Sequence, residues 1–167
     1  MAITVRANPV SLAWSNFTVV QSLAGNEDAH IDINFGIPSR PPRRDGSNWM
    51  LAETFEIVVS PVAKVKRSAN QTTDLLEHEQ GHYDIGIAVA WALAADLENL
   101  SAPSQGELSR QLTSTFNLHR QTRMSAVQQR YDLETNHSQN AAQQTAWETA
   151  IANALSTQAS SLRGLDL

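Results

Sequence analysis

The chain has 167 residues, of which 41% are hydrophobic, and this length is typical of one compact domain. It contains no cysteine, which excludes disulfides, thiolate metal sites, iron–sulfur clusters and a cysteine nucleophile. The 12 basic and 17 acidic residues give a net charge of -5, so we expect no nucleic-acid partner.

The N-terminal part of the chain has the pattern of short strands separated by turns. Residues 3–6, 17–20, 31–35 and 55–59 are rich in β-branched and aromatic side chains with partial alternation. Residues 38–48 contain three prolines and an Asp-Gly-Ser-Asn segment, which predicts a loop that flanks a cleft.

The pattern changes to helix at Asp74. Asp74 and Glu77 have the spacing of an N-terminal capping arrangement, and the following run to about Asn99 is rich in Leu, Ala and Glu. This segment predicts one long helix.

Two further helices are expected after Pro103. Ser104 and Glu107 form a second capping box, which predicts a helix to about Glu134. An Ala-rich segment then indicates a third helix that starts near His137 and runs to Leu155.

These elements predict an α+β fold in which a small, mainly antiparallel N-terminal sheet packs against long C-terminal helices. We expect a single domain over residues 1–167, strand-rich over 1–70 and helical over 74–163.

The most specific motif is His78-Glu79-Gln80-Gly81-His82, which has the form H-E-x-x-H and lies inside the first predicted helix. Residues four apart share one face of a helix, so both imidazoles can reach a single ion. Glu79, next to them, is the candidate general base. Gly81 costs stability inside a helix, which indicates close approach by another group.

A third ligand has to come from a distant part of the sequence, since catalytic zinc commonly takes three protein ligands. His137 is favoured, because the start of a helix keeps an imidazole neutral. Glu134 is the alternative ligand, and Asp132 would then orient a ligand. His119 is read as a packed or surface side chain, and Glu98 lies too far along the first helix.

Tyr131 lies one helical turn before Glu134 and is a candidate hydrogen-bond donor to the oxyanion of a tetrahedral intermediate. For Trp147 and Gln144 we favour a packing role, with Gln144 as the polar partner of the aromatic anchor.

Three sequence segments together resemble an uncharacterised bacterial family of predicted zinc-dependent proteases, domain-of-unknown-function family 922. The segments are residues 75–85 around the two histidines, the Tyr-Asp-x-Glu-Thr-x-His motif of 131–137 with Gln144-x-x-Trp147, and Trp14-Ser15-Asn16-Phe17. Family members usually have Gly after the histidine that is His137 here, whereas this chain has Ser138.

The resemblance implies a zincin-like metal site, and the residues themselves predict that His78, His82 and His137 hold Zn²⁺ there. From the residues we expect a hydrolase that acts on a peptide or protein substrate. The alternatives are an esterase or amidase with the same site, and a non-catalytic metal-binding or protein-interaction module. The sequence does not specify the oligomeric state.

The expected location is less defined than the chemistry. No segment approaches the roughly 18 consecutive apolar residues of a membrane-spanning helix, and the N-terminus lacks a signal-peptide pattern. We therefore expect a soluble protein, and the sequence does not determine its cellular compartment. Similar family members look exported or periplasmic.

Overall fold

A computed structural model describes residues 2–24, 27–52 and 54–167. Its nine strands and four α-helices within these ranges confirm the predicted α+β class, with most strands in the N-terminal half and the helices after them. In chain order the elements are β1 Ala2–Ala7, β2 Phe17–Val20, β3 Ala29–Gly36, β4 Arg43–Asp45, β5 Asn48–Met50, β6 Thr54–Lys66, α1 Thr73–Glu98, β7 Ser101–Ala102, α2 Gln105–Asn117, α3 Met124–Thr135, α4 Ala141–Thr157, β8 Ser161–Leu162 and β9 Leu165–Asp166.

The main sheet is built around the 13-residue strand β6. On one edge β6 pairs in parallel with β1 and then with β2, and on its other edge it pairs antiparallel with β3. This sheet is therefore mixed, whereas the sequence predicts a mainly antiparallel one. The three short β4–β5–β7 strands and the β8–β9 pair are antiparallel.

Strand β3 and helix α1 pack face to face in the core. Alternate residues of β3 are buried, as expected for a strand with one face toward the core. A Cβ on Gly86 of α1 would lie 2.8 Å from Cγ2 of Ile33, so the missing side chain lets α1 approach the sheet closely. Thr72 caps α1, since its hydroxyl accepts a hydrogen bond from the Leu75 amide; the predicted cap was Asp74.

The predicted loop over residues 38–48 is wrong in part, because it contains β4 and the start of β5. The two strands form a hairpin around Gly46, whose φ of +60° suits a residue without a Cβ. Arg44 and Trp49 face each other across the pair, with the guanidinium 5.3 Å from the ring centroid. The stacked pair explains how a segment with strong turn signals still forms strands.

The second predicted helix is interrupted by a π-helical segment, Leu118–Arg123, which joins α2 to α3. Ser104 is the N-cap of α2, as predicted, and accepts a hydrogen bond from the Glu107 amide. In the described part of the chain, no helix has the length and apolar character needed to cross a membrane.

The predicted helix start near His137 is wrong, because α4 begins at Ala141 with Asn140 as its N-cap. Asn136, His137 and Ser138 instead form a left-handed turn, with φ values of 48°, 49° and 73°. Such a conformation is typical of the residues that follow a helix C-terminus, where Gly is preferred. The capping residues of this segment were thus assigned to the wrong position.

We predict that Ser138→Gly stabilises the protein by about 1 kcal/mol, because it removes the steric cost of a left-handed non-glycine residue. Denaturant unfolding measures the change. Ser125→Gly, inside helix α3, is the matched control and should destabilise by about 0.5 kcal/mol. Equal losses in both variants would contradict the left-handed geometry.

Candidate metal centre

Helix α1 places His78 and His82 side by side. Their Nε2 atoms are 3.2 Å apart and their ring centroids 4.7 Å apart. His78 is buried at 2% exposure, and both rings line a cleft of about 820 Å³ between β3, α1, α3 and the left-handed turn. The structure therefore brings together the two histidines that the motif predicts.

Asp132 of α3 joins the two histidines. Its Oδ1 atom lies 3.2 Å from Nε2 of His78 and 2.8 Å from Nε2 of His82. The ligand atoms of these three residues all lie within 4.8 Å of one another, so they form a group that could bind a metal ion. The sequence assigned Asp132 only an orienting role, whereas its carboxylate lies at the centre of the group.

The three side chains shift one another's pKa values. Burial raises the pKa of Asp132, but the hydrogen bonds with His78 and His82 outweigh it and hold this pKa well below its ordinary value. Burial lowers the pKa of His78, which favours a neutral ring. For His82 the nearby Asp132 outweighs the effect of burial and raises the pKa. Asp132 is thus an anion that attracts positive charge to this point.

Glu79 lies in the same cleft and has a different environment. The side chain is buried at 3% exposure, and its Oε2 atom has no hydrogen-bond partner among the described residues. Burial raises the pKa of Glu79 to about 7. A carboxylate of this kind can gain and release a proton near neutral pH.

His137, the predicted third ligand, lies beside the group rather than within it. Its Nδ1 atom is 3.5 Å from Oδ1 of Asp132, and its ring centroid is 6.3 Å from that of His78. The side chain is 60% exposed because the left-handed turn holds it at the mouth of the cleft. Its role as a ligand stays a prediction.

The carboxylate of Glu134, the alternative ligand, has its partners outside the His78–His82–Asp132 group. It pairs with Arg130 and Arg163 and accepts a hydrogen bond from the Trp147 indole at 2.9 Å. These contacts use both oxygens of Glu134 to join α3, α4 and the segment after α4. Trp147 is fully buried, in agreement with the packing role that the sequence favours.

Tyr131 lies beneath the two histidines. Its ring stacks on His78 with 4.8 Å between centroids, and its hydroxyl donates to the carbonyl oxygen of His78 at 3.1 Å. A Cβ on Gly81 would collide with this hydroxyl, which explains the glycine inside the motif. The hydroxyl is fully buried and also accepts from Gln144, so an oxyanion-binding role would require these bonds to break.

Two other side chains considered from the sequence lie in separate environments. His119 is buried on the π-helical segment, where its Nε2 atom is 2.8 Å from the carboxylate of Asp96. Glu98 accepts a hydrogen bond from the backbone amide of Ile3. Neither belongs to the His78–His82–Asp132 group.

Gln128, which was not among the residues predicted from the sequence, contacts Nδ1 of His82. Gln128 precedes Asp132 by four residues, so helical periodicity places both on one face of α3 and is the signal that would have found it. Gln144 contacts Nδ1 of His78 at 3.3 Å, whereas the polar partner of the Trp147 indole is Glu134 and not the predicted Gln144.

Comparison with known proteins bears on the segment that carries this group. A family model described as "Bacterial protein of unknown function (DUF922)" matches residues 59–138. No curated protein and no solved structure matches the chain. The matched segment includes residues 59–66 of strand β6, the two histidines, Glu79, Asp132 and His137, and over this segment the chain is similar to family DUF922.

Proposed function

We propose that the protein is a zinc-dependent hydrolase that cleaves peptide bonds, with His78, His82 and Asp132 as the metal ligands. The convergence of two imidazole nitrogens and one carboxylate oxygen within 4.8 Å is the observation that carries the proposal. Two histidines and one carboxylate are a familiar ligand set of catalytic zinc, and this set leaves a coordination position open.

The donor set fits zinc chemically. Burial favours the neutral form of His78, and Asp132 is held as an anion, which are the protonation states that a cation requires. Asp132 raises the pKa of His82, so this ring would release its second proton when a cation binds. When bound, zinc would act as a Lewis acid that lowers the pKa of a water molecule and polarises a carbonyl group.

Glu79 would move the proton. Its carboxylate lies on the cleft with one oxygen unpartnered, and its pKa of about 7 allows it to be ionised in a large fraction of molecules at neutral pH. In the proposed reaction it accepts the proton of the attacking water and then donates that proton to the leaving amine.

The cleft is large enough to hold a short peptide segment. Its volume of about 820 Å³ is near the upper end of ordinary small-molecule sites, and strand β3 forms one wall. An ester or a non-peptide amide would be attacked by the same groups. The second candidate is a non-catalytic metal-binding module, which the buried carboxylate of Glu79 disfavours because metal binding alone does not need it.

Metal content tests the ligand set. Purified protein should contain about one zinc ion per chain, and His78→Ala and Asp132→Ala should each lose it because a ligand is removed. His30→Ala, which removes another histidine of the cleft, is the control and should retain the metal. His137→Ala should also retain it, as measured by elemental analysis. Loss in His137→Ala with retention in Asp132→Ala would make His137 the third ligand.

Glu79→Gln should keep the metal and lower peptide hydrolysis by about 10²–10⁴-fold, because the general base is lost. The readout is cleavage of a fluorogenic peptide library, with matched ester substrates in parallel. Glu77→Gln, on the exposed side of the same helix, is the control and should keep full activity. A metal-loaded wild type without hydrolysis of either bond would favour the binding module.

Glu79→Gln should also change the pH dependence of stability in metal-free protein. The pKa of Glu79 rises from 4.5 to about 7 on folding, so folding favours the protonated form. The contribution of protonated Glu79 to the free energy of unfolding is fully present below pH 4.5 and is lost as pH rises through about 7. Above that pH, Glu79→Gln should be more stable than wild type by about 3 kcal/mol, measured by denaturant unfolding. Equal stability at all pH values would contradict the burial of this charge.

A further inference from the structure

Each histidine of the candidate metal centre has a glutamine on the side that faces away from Asp132. The Oε1 atom of Gln144 lies 3.3 Å from Nδ1 of His78, and Oε1 of Gln128 contacts Nδ1 of His82. Both glutamines come from helices packed against α1, namely α3 for Gln128 and α4 for Gln144.

The orientation of the Gln128 amide follows from its second partner. Its other end lies 2.9 Å from the carbonyl oxygen of His82, and a carbonyl oxygen only accepts hydrogen bonds. The Gln128 nitrogen must therefore be the donor at that end, which leaves Oε1 facing the ring. Because Oε1 only accepts, Nδ1 of His82 has to carry the ring proton.

The orientation of the Gln144 amide follows from a longer network of hydrogen bonds. Its nitrogen donates to Glu148 at 3.0 Å and to the Tyr131 hydroxyl at 2.7 Å. The Tyr131 hydroxyl uses its own proton for the carbonyl oxygen of His78, so it accepts from Gln144. Oε1 of Gln144 consequently faces the ring, and Nδ1 of His78 carries the proton.

We propose that Gln128 and Gln144 are positioning residues that fix both histidines in the tautomer with the proton on Nδ1. In the neutral rings the lone pairs of both Nε2 atoms then point toward Oδ1 of Asp132, and a ring donates to that oxygen only when it is charged and carries a second proton on Nε2. Three electron-pair donors that face one another repel unless positive charge lies among them, so the two amides prepare the centre for a cation. This inference rests on the proposed metal site.

The choice of an amide has a further consequence. Histidine ligands of metals commonly donate their second N–H to a carboxylate or a backbone carbonyl. Gln128 and Gln144 accept the same N–H without adding negative charge, so within this ligand set Asp132 alone contributes an anion. The amides therefore orient the rings and leave the net charge of the centre unchanged.

The test replaces each glutamine by methionine, which has similar size and no amide. In metal-free protein at a pH above the pKa of both rings, ¹⁵N chemical shifts should show the Nδ1–H tautomer at His78 and His82 in wild type. Gln144→Met should lose this preference at His78 and Gln128→Met at His82. Zinc dissociation constants, measured by chelator competition, should rise about 10–100-fold.

Matched controls and a conservative variant complete the experiment. Gln143→Met and Gln129→Met change the neighbouring glutamines and should leave tautomers and zinc affinity unchanged. Gln144→Glu loses the two donor contacts of the amide but retains an oxygen acceptor for Nδ1–H, so it should retain the tautomer of His78. Gln128→Met provides the test at His82 if Gln144→Met does not fold.

An Nε2–H tautomer in the wild type would overturn the inference, as would methionine variants with unaltered tautomers and zinc affinity. The tautomer is read without metal or substrate, so its outcome is separate from that of the proposed function. Zinc binding without hydrolysis would remove the proposed activity and leave the role of the glutamines standing.

Discussion

The close contact between Gly81 and Tyr131 is the constraint on which the candidate site depends. Without a Cβ at Gly81, the Tyr131 ring can lie against α1, stacked on His78 and edge-on to His82. Asp132 follows Tyr131 directly, so the same contact brings its carboxylate to both imidazoles. On the far side of the cleft Gly86 lets α1 pack against Ile33 of β3, and thus two glycines of one helix determine how close its neighbours come.

The sequence was informative where chemistry and helical geometry coincide. Residues four apart on one helix define the His78–His82 pair without knowledge of the fold. Asp132 was assigned a lesser role because its position relative to α1 depends on the packing of Tyr131, which is a tertiary contact. His137 was placed at a helix start because its neighbours are good capping residues, yet the chain there forms a left-handed turn and the cap is Asn140. Local signals identified the segment but could not determine which of its residues ends one helix and starts the next.

Two carboxylates in one cleft have opposite properties, and this difference supports their separate roles. Contacts with the two imidazoles hold the pKa of Asp132 low, whereas burial without a partner for Oε2 raises the pKa of Glu79. Pairs of titratable groups whose environments shift their pKa values in opposite directions are typical of acid–base sites. A permanent anion suits cation binding, and a carboxylate that titrates near neutral pH suits proton transfer.

The left-handed turn connects this chemistry to the rest of the fold. By ending α3 abruptly, residues 136–138 allow α4 to turn back and pack against α1 and α3, which places Gln144 behind His78. The hydrogen bonds of Gln144 then continue through Tyr131 to the backbone of α1. Because non-glycine residues in this conformation cost stability, the turn persists only if the packing of α4 compensates for it. Backbone strain at the mouth of the cleft and the orientation of a buried imidazole are therefore consequences of the same helix placement.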